Sequence, residues 1–328
     1  MTDSFPHALV ISDGRRGIEN QALGLAEAAA HIRSLTISTH HIQNDKTFAA
    51  LPPALQFALR RSPHDYGLTG LKPDIAIGCG RQAIAPLRAL KRAHGADVFT
   101  VYVQDPQTSL SHFDLVIAPQ HDGVNGDNIF AIVGSPNRIT APRLTHETEI
   151  FAPRLAQYPA PYAAILIGGA SKRWSVKQED MAAWHDAMRD LHVKGYSLLV
   201  TPSRRTPDFA RKMLAQFAYE HGRVWLHDDA EDNPYFAFLN AADIILVTED
   251  STNMMTEACV TGKPVYRLPV SGDPGKFAIL FDSLQTRCGV TRYEPASSPQ
   301  SYEALSETRR AADYLWKRFD QVRASRPH

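Results

Sequence analysis

Short runs of Val, Ile and Leu recur along this chain, each followed by a glycine or a polar cluster and then by apolar residues at helical spacing. "HALVISDGRRG" leads into "ENQALGLAEAAAHI" and "PDIAIGCGRQ" into "AIAPLRALKRAHG", while "FTVYVQDP", "FDLVIAPQHD" and "IFAIVGSP" supply further strands. Strands that read as continuous apolar runs are covered on both faces, so the pattern predicts a parallel sheet with helices on either side. After "APRLAQYPAPY" it restarts with "AAILIGG", the helix "KQEDMAAWHDAMRDLHVKG", the strand "YSLLVTPS", the helix "DFARKMLAQFAYEHG" and the helix "NPYFAFLNA". The strand "DIILVTED", the helix "STNMMTEACVTG" and the strand "KPVYRLPV" follow. Two α/β units are expected, residues 1–155 and 156–300. In the final segment, 301–328, Leu305, Ala312, Leu315, Trp316, Phe319 and Val322 stand at helical spacing. Such an amphipathic helix has to dock, and the first unit is the expected place.

Composition changes the picture mainly by exclusion. Lys plus Arg and Asp plus Glu both number 35, so no global charge draws nucleic acid or an anionic membrane. No apolar run is long enough to span a bilayer, and the opening "MTDSFPHALVISDG" lacks the pattern of a signal peptide. A cytoplasmic protein is expected, with peripheral placement at the inner face of the membrane as an extension of that reading. Cys79, Cys259 and Cys288 are far apart and form no C-x-x-C pair, which predicts buried thiols. Fourteen histidines include no H-x-x-x-H or H-E-x-x-H string, and neither a Walker motif nor a G-x-S-x-G elbow occurs.

Ligands of open parallel sheets sit at the carboxyl ends of the strands, so the residues just after each strand carry the candidate chemistry. The first unit offers Asp13, Gly14, Arg15, Gly17, Asn20 and Gln21, then Gly80 and Arg81, then Gln104 and Asp105. The second offers Gly168, Gly169, Ser171, Lys172 and Arg173, then Ser203, Arg204 and Arg205, then Thr248, Asp250, Ser251, Asn253 and Glu257. Two glycines followed by a hydroxyl and two cations suit a diphosphate, and the forked guanidinium of Arg204 or Arg205 can hold phosphate through two bonds. If Asp250 or Ser251 caps the following helix, its free amides and dipole face an anion. Glu257, four residues after Asn253 and on the same face, could then hold the two hydroxyls of a ribose. Gly262 ends that helix and Pro264 prevents its continuation.

The stretch "VTEDSTNMMTEACVTGKPVY" resembles the signature of the family named after the plant elongated-mitochondria fission protein, whose bacterial members are regarded as glycosyltransferases. "VISDGRRGIENQALGLAEA", "PDIAIGCGRQAIAPLRALKR", "GSPNRIT", "ILIGGASKRW", "LLVTPSRRTP", "NPYFAFLNAAD" and "KFAILFDSLQTRCGV" extend the likeness over nearly the whole chain. The resemblance implies a glycosyltransferase B-type fold, two Rossmann-like domains facing across a cleft, with the last helix crossing back to the first. It implies a nucleotide-sugar donor in the second domain, with Ser251, Asn253 and Glu257 on the donor and Gly168 and Gly169 at its pyrophosphate. The acceptor, a cell-envelope saccharide or a lipid-linked one, would meet the catalytic base in the first domain. No cofactor and no metal are expected, since the Asp-x-Asp pair of metal-dependent transferases is absent. The family's first turn often reads Asp-Gly-x-Pro-Gly-His, and here Arg16 and Ile18 occupy the Pro and His positions. That leaves Asp13, with Asp105 in reserve and Glu19 also in reach, as candidate base.

Two rival readings follow from other features. "GCGRQA", residues 78 to 83, fits a dinucleotide fingerprint with Asp105 as the ribose acid, which would make an NAD-dependent enzyme. The other is a non-catalytic scaffold of the same fold that recruits a partner to a membrane. Arg309, Arg310, Lys317, Arg318, Arg323 and Arg326 would then touch an anionic surface.

Overall fold

A computed structural model of the chain describes residues 5–325 apart from 45, 61, 229 and 231; Arg326 thus lies outside the described residues. The chain forms two compact units, residues 1–138 with 306–328, and residues 139–305.

The first unit is a six-stranded sheet in which every pairing is parallel. Its strands are β1 (His7–Ser12), β2 (Thr36–His41), β3 (Ile75–Cys79), β4 (Phe99–Val103), β5 (Leu115–Pro119) and β6 (Ile129–Ile132), in the order β2-β1-β3-β4-β5-β6. Helices α1 (Arg16–Ile32), α2 (Lys46–Ala50), α3 (Pro53–Leu59) and α4 (Ile84–His94) fill the crossovers, and α11 (Glu307–Ala324) returns from the far end of the chain. The pleat sends alternate residues to opposite faces. Ala8, Val10, Ile75, Ile77, Phe99 and Val101 pack under α1 and α11, whereas Leu9, Ile11, Ala76, Tyr102 and Val116 pack under α4 with Phe48 and Tyr66. Both faces are therefore dry, which is why these strands read as unbroken apolar runs. The stripe of α11 packs as its spacing requires: Trp316 donates its indole N–H to Ala29 O at 2.9 Å, and Phe319 meets Phe99 edge-on.

The second unit holds α5 (Ala141–Leu155), β7 (Tyr162–Ile167), β8 (Trp174–Ser175), α6 (Gln178–Val193), β9 (Ser197–Pro202), α7 (Asp208–Glu220) and β10 (Val224–Leu226). It continues through α8 (Tyr235–Ala241), β11 (Ile244–Thr248), α9 (Thr252–Cys259), β12 (Val265–Leu268), β13 (Ser271–Gly272), α10 (Phe277–Cys288) and β14 (Thr291–Arg292). The main sheet runs β10-β9-β7-β11-β12-β14, again parallel, and β8 and β13 make a short antiparallel ribbon.

The expected boundary at 155/156 is thus corrected to 138/139. Helix α5 belongs with the second unit because it packs on α8 and because Thr148 Oγ1 accepts from Asn240 Nδ2 at 2.8 Å. Residues 301–305 also stay there, held by Tyr302 OH on Lys263 O and by the Leu305 amide on Cys259 O. The last helix begins at Glu307, whose buried carboxylate accepts the Val133 amide at 2.8 Å. All three cysteines are buried thiols.

Candidate functional site

In each sheet the strand order reverses at one place, between β1 and β3 in the first unit and between β7 and β11 in the second. Crossovers leave such a point in opposite directions, which opens a crevice at the carboxyl ends of the two strands. The candidate residues sit at those ends.

In the second unit the loops after β7, β9 and β11 converge. The Gly168 amide donates to Thr248 Oγ1 at 2.7 Å and the Gly169 amide to Asp250 Oδ2 at 2.9 Å. Arg205 donates to the same Asp250 oxygen at 2.8 Å and to Ser251 Oγ at 3.2 Å. The two glycines have no room for a side chain: a Cβ on Gly168 would lie 2.2 Å from Ser251 Oγ, and one on Gly169 2.0 Å from Arg205 O. They are small so that three loops can close on one another, and their amides are engaged inside the protein. A pyrophosphate placed at these glycines would have to compete with Thr248 and Asp250 for their amides. Asp250 is buried, and its Oδ1 has no hydrogen-bond partner among the described residues.

Ser251 occupies the N-cap position of α9, yet its hydroxyl makes no capping bond because it is spent on Asp250 and Arg205. The first turn of α9 therefore carries amides that no side chain caps. Asn253 is exposed beside that turn, while Ser171, Lys172, Arg173 and Arg204 are exposed on the neighbouring loops and Ser203 is half-buried. Glu257, half-buried, accepts the Tyr235 hydroxyl of α8 at 2.5 Å. Burial pushes its carboxyl up to about 7, against the pull of the Tyr235 hydrogen bond. Two further ionic groups frame the site. Glu249, buried, takes Arg267 at 3.1 Å and Arg292 at 2.9 Å. Lys263 donates to Leu239 O at 3.0 Å and to Asn240 O, closing the C-terminal end of α8, and burial brings its ammonium down to about 8. Lys263 thus serves α8 rather than the α9 N-terminus.

In the first unit Asp13 folds back on Arg15, accepting its amide at 3.2 Å and its Nε at 2.8 Å. Gly14 takes φ +78 in that turn, Gly17 is exposed, and Asn20 is half-buried. Gln21 is buried and accepts from Gln104 Nε2 at 2.9 Å and from the Cys79 thiol. Gln104 itself has φ +90, a region non-glycine residues avoid, held by this bond and by its amide on Ile117 O. Glu19 bonds His41; burial acts to raise its carboxyl, but hydrogen bonds from Ser12 and His41 draw it below its ordinary value.

Two cavities open at this edge. One of about 560 Å³ is lined by Asp13, Arg15, Asn44, Arg81 and Gln82. The other, of about 350 Å³, is lined by Pro52, Arg81, Tyr102, Gln104 and Asp105. Arg81 borders both and donates to Ala49 O at 2.6 Å. The two candidate bases therefore stand in separate cavities. Asp13 has both oxygens on Arg15, whereas Asp105 gives only Oδ1 to the Gln107 amide. The glycines of "GCGRQA" have internal reasons: a Cβ on Gly78 would meet Leu87 at 2.7 Å, and one on Gly80 would meet Ile18 at 2.9 Å.

Tyr235, Arg267, Arg292 and Lys263 were not singled out from the sequence. Only "NPYFAFLNA", with a tyrosine opening a short helix, carried a signal. Among the described residues no group of His, Cys, Asp or Glu is arranged to hold a metal ion, and no helix is long and apolar enough to cross a membrane.

The profile of the family described as "Mitochondrial fission ELM1" matches residues 16–319. The chain is similar to "Mitochondrial fission protein ELM1" of Arabidopsis thaliana, 27% identical over 73% of this chain and 62% of the plant protein. The chain thus spans less than two thirds of that relative's length. It is also similar to "Uncharacterized protein RP120" of Rickettsia prowazekii (strain Madrid E), 23% identical over 93% of this chain and 96% of that protein. Among solved structures it is similar to UDP-GlcNAc 2-epimerase from Methanocaldococcus jannaschii, with a TM-score of 0.58 at 10% identity, covering 95% of this chain and 98% of that one. At that identity the likeness establishes the fold: two Rossmann-like α/β units of the glycosyltransferase B type.

Proposed function

The chain belongs to the mitochondrial fission ELM1 family, and from that premise we propose a metal-independent glycosyltransferase that binds a nucleoside-diphosphate sugar through its second unit. The acceptor in this reading is a cell-envelope or lipid-linked saccharide bound by the first unit, and no cofactor is needed. The observation that carries it is the uncapped N-terminus of α9, placed at the strand reversal beside Arg205. Unfilled amides, a helix dipole and a guanidinium together attract a diphosphate, and they stabilise the charge that grows on it as the sugar leaves. Glu257 follows little more than a turn into the same helix, where an ionised carboxylate would accept both ribose hydroxyls. Asp105, with one oxygen uncommitted, is the preferred base in this scheme, and Asp13 with Arg15 an acceptor contact.

Calorimetry without added metal against UDP, GDP, CDP, ADP and NAD tests this. One nucleoside diphosphate should bind selectively, and Glu257→Ala should weaken it at least about tenfold, or about 1.4 kcal/mol. NAD binding in its place would move the reading to a nicotinamide enzyme. Silence with every nucleotide would favour a non-catalytic scaffold, a reading to which the internally engaged amides of Gly168 and Gly169 lend weight.

A further inference from the structure

The two carboxylate oxygens of Glu257 have different fates. Oε2 accepts the Tyr235 hydroxyl at 2.5 Å, whereas Oε1 has no partner among the described residues and is not shut away from solvent. One oxygen is fixed and the other is presented.

A tie between α8 and α9 that served stability alone would be made with a neutral amide, because placing an ionisable acid where water is scarce costs free energy. Nor does α8 depend on this tie. Ala237, Phe238 and Leu239 are buried, the last carbonyls of the helix take Lys263, and Asn240 bonds Thr148 of α5. Tyr235 itself is set by its amide, which donates to Asn233 Oδ1 at 3.0 Å.

The charged and titratable groups nearby are turned elsewhere. Lys263 is spent on α8, Cys259 faces Cys288 of α10, Asp250 holds Arg205, and Glu249 holds Arg267 of β12 and Arg292 of β14. Tyr235 is thus the one side chain that acts on the Glu257 carboxyl: burial pushes that carboxyl up, and the phenol, by bonding its ionised form, draws it back down.

We propose that Tyr235 is a positioning residue for the donor site, whose hydroxyl fixes Glu257 Oε2 so that an ionised Oε1 meets the hydroxyls of a nucleotide ribose. This deepens the transferase reading and rests on it for the ligand. Tyr235 touches no substrate; it acts through Glu257.

The test reads that carboxyl directly in the full chain labelled with 13C-glutamate, the Glu257 resonance being identified by its loss in Glu257→Gln. Its titration midpoint should lie near 7 in the wild type and rise by about one pH unit in Tyr235→Phe, which keeps the ring and removes only the hydroxyl. Asn240→Ala, which cuts the bond between α8 and α5, should leave the midpoint in place. In calorimetry with UDP, GDP, CDP and ADP, the nucleotide that binds should lose about fivefold in affinity for Tyr235→Phe at about pH 7 and recover near pH 9, where both proteins carry an ionised Glu257. A tyrosine that only braced the fold would weaken binding equally at both. An unmoved midpoint, or equal losses at the two pH values, would overturn the role of Tyr235 alone. Silence of the wild type toward all four nucleotides would instead sink the transferase reading and the ribose assignment together.

Discussion

Glu257 shows how one residue joins site and stability. Its carboxyl titrates near 7 in the folded protein against an ordinary 4.5, so between those values the native state holds a proton that the unfolded chain releases. The contribution is therefore fully present below about pH 4.5 and is lost as pH rises through 7. Glu257→Gln, which keeps an acceptor for Tyr235, should gain on the wild type by up to about 3 kcal/mol between pH 5 and 8 in denaturant titrations. If the ionised form takes the ribose, nucleotide affinity should move the opposite way and weaken below pH 7. Gly168→Ala should cost about 3 kcal/mol or more, read as a shift in melting temperature, because the new methyl would meet Ser251 and Asp250 within bonding distance. The presence of Gly168 was plain in the sequence, but its reason was not. A glycine that admits a ligand and one that admits Asp250 look alike along the chain, and only tertiary contacts across some eighty residues separate them.

At the scale of elements the strands and helices were legible because burial on both faces leaves an unbroken apolar run, and helical spacing survives in every crossover. The stripe on α11 was legible for the same reason, and so were the polar strand ends. Pairings chosen between elements were not. Tyr235 with Glu257, Lys263 with the end of α8, and Glu249 with Arg267 and Arg292 each depend on which strands become neighbours. Helix α5 was misplaced because its partner, α8, comes some eighty residues later. The packing of α11 makes its own prediction. Trp316→Ala removes a buried ring and the indole bond to Ala29, and should cost about 3–5 kcal/mol in the first unit. Pulsed proteolysis should then cut within residues 1–138 before it cuts within 139–305.

For the whole molecule the decisive fact is that the chain passes between the units twice, at 138/139 and at 305/306. The second unit is one continuous segment and the first is not. A fragment of residues 139–305 should fold cooperatively by circular dichroism and keep nucleotide affinity within a few-fold of the full chain. A fragment of residues 1–138 should not fold until a peptide spanning 306–328 is added, because Phe99 and the β5 and β6 side of that sheet face would otherwise lose the cover of α11. On the ribosome the same arrangement reverses the usual order, in which the N-terminal part folds first. The first unit emerges early yet waits for the residues from 306 on, and at a synthesis rate of about 5–20 residues per second that wait is on the order of ten seconds or more. Throughout it an apolar sheet face lies open, so the first half of this protein should be a chaperone client during its own synthesis while the second half is not.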